Sequence, residues 1–156
     1  VEEDLLKRFV GSAIKVLSTE LSVGAGVGQP SMQADYYVTH GVTALIGVTG
    51  QLRGMVIFGL EEKTALNLVS HMMGSEFTEM DAVAQSGIAE MANVMVGSSV
   101  TSLAEMGIEC GITPPAVVLG KGTVISTPNI RRLVIPLVVP VGTIEMQLAI
   151  RENAVR

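Results

Sequence analysis

The sequence predicts an α+β fold in which an antiparallel sheet is covered by two long helices, with a weak internal pseudo-two-fold repeat of one helix followed by strands. Three observations lead there. Helical periodicity marks three segments, two of them long, while runs of Val, Ile, Thr, Tyr and Phe broken by Gly mark about seven strands. The order helix, three strands, helix, helix, several strands leaves the strands too close together for crossover helices between all of them, which favours antiparallel pairing. With 156 residues, 48% of them hydrophobic, the chain has the length and apolar content of one domain over residues 1–156.

The first helix is read from Glu2 to Thr19, where Leu5, Leu6, Phe9, Ala13, Val16 and Leu17 recur at helical spacing behind an acidic first turn. Gly24, Gly26, Gly28 and Pro30 predict a loop. Between Met32 and Leu60, segments separated by Gly41, Gly50 and Gly54 predict three antiparallel strands. A second helix follows from Glu61 to Met73, with Gly74 placed to end it and His71 near its C-terminus as a surface or dipole-compensating residue. Thr78 and Asp81, spaced as a capping box, open a long third helix that runs to Met106 and stops at Gly107. Pro114 and Pro115 then lead into strands at Val117–Leu119, Thr123–Ser126, Leu133–Val139 and Thr143–Ile150. Pro136 and Pro140 point to an edge strand or a bulge.

Composition excludes several function classes. No apolar stretch reaches the roughly 18 to 20 residues of a membrane-crossing helix, and the opening Val1, Glu2, Glu3 and Asp4 lack the basic start of a secretory signal. A net charge of −5 argues against nucleic acid, and the adjacent Arg131 and Arg132 are read as a solvated turn before a strand. The lone Cys110, expected in the loop after the third helix with no His nearby in sequence, suits a reducing cytoplasm and makes a poor nucleophile. No metal-ligand cluster and no nucleotide-binding Gly-rich loop is present, so the chain is expected to hold no metal or other cofactor of its own.

The third helix carries the functional signal. At about 100° per residue, Ser86, Glu90, Asn93 and Gly97 fall within a sector of about 60°. Ala84, Ile88, Met91, Ala92, Met95 and Met106 gather on the other side, which is therefore the core side. From Ala82 to Ala104 the only charged residue is Glu90, which is odd for a plain solvated surface. Val83, Val94 and Val100 flank the polar sector, and Gly97, Ser98 and Thr101 are small enough for another protein to approach closely. On the wheel alone, a docking face and two solvated residues on a buried helix are equally good accounts.

The spacing settles on one side when the proline is added. Ser86, Glu90 and Asn93, followed after 21 residues by Pro115, resemble the signature of the CheC, CheX and FliY phosphatases of bacterial chemotaxis. The segment from Gln85 to Gly97, then Gly111-Ile112-Thr113-Pro114-Pro115 and a strand ending at Gly120, is most similar to the CheX branch. The second motif copy of the two-site members is missing, since Val16 and Thr19 stand on the first helix where Glu and Asn would be. The resemblance implies a phosphatase with one site, built on Glu90 and Asn93 and helped by Ser86, Gly97 and Pro115. It acts on the aspartyl phosphate of a CheY-like receiver domain that brings its own Mg²⁺. It also implies a cytoplasmic homodimer. A non-catalytic receiver-binding module of the same fold is the rival expectation.

Overall fold

The structure is a computed structural model and describes residues 3–19, 22 and 24–153, so Glu2, the start of the expected first helix, lies outside the described residues. Along the chain come α1 (Glu3–Thr19), β1 (Gly26–Val27), β2 (Ser31–Gln33), β3 (Tyr36–Val38), β4 (Val42–Gly50), β5 (Leu52–Leu60), α2 (Glu62–Met73) and α3 (Ala82–Glu105). Then follow β6 (Cys110–Ile112), β7 (Ala116–Leu119), β8 (Val124–Ser126), β9 (Arg132–Val139) and β10 (Gly142–Glu152). All pairings are antiparallel.

Two long hairpins, β4–β5 and β9–β10, meet at the centre of the sheet through β5 and β10, in the order β9-β10-β5-β4. The borders are exchanged between the two halves of the chain. Strands β1 and β2, which follow α1, pair with β9; β6 and β7, which follow α3, pair with β4; and β3 pairs with β8 in a separate two-stranded sheet. The expected repeat is therefore present as topology: helix, two short border strands, a third short strand and a hairpin, occurring twice with α2 inserted between.

Pro136 shows why β9 is not an edge strand in the simple sense. Its carbonyl accepts from Gly28 N at 2.8 Å, so its missing N–H also points outward, into the gap between β1 and β2. The ladder loses nothing there. Pro140 sits in the turn joining β9 to β10.

One face of the sheet and all three helices share the core. Phe9, Ala13, Val16 and Leu17 of α1, Ala65, Leu68 and Val69 of α2, and Ile88, Met91, Met95 and Leu103 of α3 meet Ile46, Val56, Phe58, Leu137, Ile144 and Met146 from the strands. Burying each large side chain of α3 stabilises by about 2 kcal/mol, which seats that helix firmly. Ser99 Oγ donates to the Phe9 carbonyl at 2.6 Å and ties α3 to α1 inside the core.

Four expectations need correction. The third helix starts at Ala82: Asp81 is the N-cap and accepts from Ala84 N at 2.9 Å, with no part played by Thr78. Met106 is 44% exposed, because the chain leaves the helix there; Gly107 takes the left-handed conformation, and Gly107 N and Ile108 N bond back to Ala104 and Leu103. Cys110 begins β6 and is not in a loop. Arg132 is buried: its guanidinium donates to the Ala34 carbonyl and to Gln147 Oε1 and lies over the Tyr37 ring.

Candidate functional site

Helix α3 is covered on most of its circumference, and what it leaves open is the predicted sector. Ser86, Glu90 and Thr101 are exposed, while Asn93, Val94, Gly97 and Ser98 are half-buried. The nine buried positions, from Ala84 to Leu103, all lie outside that sector. Asn93 sits at the sector's edge farther from α1, and Val94 and Ser98 lie beyond the nearer edge, where α1 crosses.

The Asn93 carboxamide bears on why an Asn stands in mid-helix at all. A mid-helix Asn could have been explained by a tertiary hydrogen bond. Among the described residues, however, neither the Asn93 carboxamide nor the Glu90 carboxylate has a hydrogen-bond or ion-pair partner. Asn93 is also not among the buried unsatisfied groups, so its amide faces water. Thr101, by contrast, spends its hydroxyl on the Gly97 carbonyl at 3.0 Å. A donor and an acceptor on Asn93, one turn from a carboxylate, are thus held on a rigid rod and left available to a partner.

Gly97 completes the surface. A Cβ built on it meets nothing within 4 Å, so its lack of a side chain answers no internal crowding. Gly87, on the same helix, differs: there a Cβ would press on Val69 and Met73 of α2.

Pro115 lies in the three-residue break between β6 and β7, both of which pack on α3. Thr113 anchors that break, donating its N–H to the Gly47 carbonyl at 2.9 Å and accepting from Gly47 N at 2.8 Å. Pro115 is half-buried, in the border beside the helix.

Among the described residues no cluster of three or more His, Cys, Asp or Glu could hold a metal ion, and no helix is long and apolar enough to cross a membrane. His71, at the end of α2, is within hydrogen-bond reach of the Ser22 carbonyl, 3.1 Å away. One feature of the surroundings was not read from sequence. A groove of about 400 Å³ runs between α1 and α3 and is lined by Ser12, Lys15, Val94, Ser98 and Thr101, among others. Only the packing angle of two helices far apart in sequence creates it.

The fold is that of the CheC-like proteins. A CheC-like superfamily protein from Shewanella superposes with a TM-score of 0.85 at 24% identity, over 97% of this chain and 99% of that one. The CheX of a CheX-CheY-BeF3-Mg complex from Borrelia burgdorferi superposes with a TM-score of 0.83 at 29% identity, over 97% of this chain and 100% of that one. The family model for the chemotaxis phosphatase CheX matches residues 42–138, which include α3 and Pro115. The CheY-P phosphatase CheX of Thermotoga maritima is 32% identical over 118 residues, 75% of this chain and 76% of that relative. The chain belongs to the CheX family of chemotaxis phosphatases.

Proposed function

We propose that this chain hastens loss of the phosphoryl group from the aspartyl phosphate of a CheY-like receiver, with Glu90 and Asn93 entering the partner's site. The observation that carries this is the Asn93 carboxamide, unpartnered among the described residues on an otherwise almost uncharged helical face. The Borrelia relative is known in a complex with CheY, BeF3 and Mg²⁺, and the Thermotoga relative is a CheY-P phosphatase.

Hydrolysis of an acyl phosphate proceeds by in-line attack of water through a loose transition state, so little proton transfer has occurred when the bond breaks. The receiver's own Mg²⁺ and Lys neutralise the phosphoryl oxygens; this chain brings no metal to the reaction. What it adds is position. Asn93 can hold a water by accepting from it while donating toward the phosphoryl group, and is neither protonated nor consumed. Glu90, one turn earlier, pairs with the receiver's Lys and sets how deeply α3 seats. Ser86 and Gly97 allow the close approach, and Pro115 stiffens the border next to the helix.

Two copies pair through their sheets in this proposal. Exposed Val27, Met32, Tyr36, Val38, Val124 and Val138 on β1, β2, β3, β8 and β9 supply apolar surface away from α3. The site of action is the cytoplasm, where receiver domains are phosphorylated.

Decay of phosphorylated CheY with catalytic amounts of protein tests the proposal. Wild type is expected to turn over many receivers per chain, and Asn93→Ala to lose about 100-fold in rate while still binding. Glu90→Lys is expected to weaken both binding and rate. Stoichiometric binding without turnover by wild type would identify a non-catalytic module instead, and wild-type rates from Asn93→Ala would remove the assignment of that residue.

A further inference from the structure

The helix that carries Asn93 is not the whole contact surface. The α1–α3 groove lies beside the site, because Val94 and Ser98, which line it, follow Asn93 and Gly97 in the helix and face the α1 side of the sector. Two cations of α1 stand along it, and they differ. Arg8 is engaged at the far end, donating to Ser102 Oγ at 2.9 Å and pairing with Glu105 at 3.5 Å. Lys15 is exposed, lines the groove, and its amino group has no partner among the described residues.

The partner's chemistry indicates what an ammonium group could meet there. A receiver ready for hydrolysis holds Mg²⁺, and Mg²⁺ in such sites is held by carboxylates and phosphoryl oxygens, so the face offered to α3 is ringed by anionic groups. The chain itself has a net charge of −5, and Glu90 is the only charge between Ala82 and Ala104. Docking thus brings an acidic protein against an anionic target, and a local cation at the rim relieves that repulsion.

We propose that Lys15 of α1 reaches from the α1–α3 groove to an acidic group on the rim of the docked receiver, acting as a docking residue for the phosphatase reaction. This rests on the phosphatase proposal above and extends the contact surface from α3 onto α1. The small side chains of Ser12, Ser98 and Thr101 leave the groove open, so the lysine stem can lie along it with its head in water until the partner arrives.

Lys15→Glu and Lys15→Met test this in the intact protein, with Lys63→Glu as a control that changes the net charge by the same amount from the start of α2. For Lys15→Glu, KM for phosphorylated CheY is expected to rise about fivefold at low salt, with kcat within about twofold, and the difference to shrink at high salt. Lys15→Met is expected to fall between it and wild type, and Lys63→Glu to match wild type. An unchanged KM in Lys15→Glu, or an equal rise in Lys63→Glu, would overturn the inference. Titration with CheY carrying beryllofluoride and Mg²⁺ gives a readout independent of turnover. If wild type shows no acceleration, the phosphatase proposal falls, and weaker binding by Lys15→Glu alone would still support the contact, whereas equal binding would end it.

Discussion

Gly97 offers the sharpest separation of stability from function. Glycine inside a helix costs about 0.5–1 kcal/mol relative to alanine. At Gly97 nothing within 4 Å would obstruct a Cβ, so that cost is compensated by no internal contact. Gly97→Ala is therefore expected to stabilise the free protein by about that amount, raising Tm by about 2–4 °C per kcal/mol for a chain of this size. Leucine has nearly the same helix propensity, so Gly97→Leu should keep most of the gain. The docked complex responds in the opposite sense. A leucine side chain on the approach face forces the receiver outward, and overpacking of a fitted contact costs about 1–3 kcal/mol. At 1.4 kcal/mol per factor of ten, kcat/KM should fall about 5- to 150-fold. Urea denaturation read alongside decay of phosphorylated CheY measures both quantities on the same sample. Wild-type turnover by Gly97→Leu would refute the docking face, and destabilisation by Gly97→Ala would refute the open geometry around that glycine.

Gly54, at φ 144° in β5 and opposite Ile150 of β10, would drive any Cβ into the Ala149 carbonyl. Gly54→Ala should cost about 3 kcal/mol, seen as a lower urea midpoint with an unchanged slope, and a loss under 1 kcal/mol would contradict this backbone. Burial, and next the charge of Glu145, raise the Tyr37 hydroxyl above its ordinary pKa. The folded chain then keeps a proton that the unfolded chain gives up. This contribution to stability is whole below about pH 10 and is lost as pH rises through the folded value. Tyr37→Phe should therefore lose less stability than wild type on alkaline titration, and equal losses would show that Tyr37 does not carry the effect.

What the sequence revealed followed from local rules. Gly74 and Gly107 mark helix ends because each takes a left-handed backbone there, a choice decided within one turn. The exposed sector of α3 was legible because burial at nine positions of one helix repeats at the helical period. The features that were missed depend on distant partners. Strands β1, β2 and β6 span two or three residues each, too few for any alternation, and exist only because a hairpin from the other half offers an unpaired edge. Arg132 looked solvated because Ala34 lies 98 residues before it and Gln147 15 after it, and neither is adjacent in sequence to announce a buried guanidinium. Gln147 likewise occupies the polar side of an alternating strand, yet it is fully buried. The α1–α3 groove beside Asn93 has the same origin in tertiary packing.

The exchanged borders make the wall beside the reactive helix the property of the other half. Strands β6 and β7 follow α3 in the chain, but the strand that holds them in place is β4, from the first half. A change between Val42 and Gly50 therefore reaches Pro115 through Gly47 and Thr113, beside the direct packing of β4 on α3. The first half carries Val16 and Thr19 on α1 in place of Glu and Asn, yet it supplies the foundation on which the centre in the second half stands.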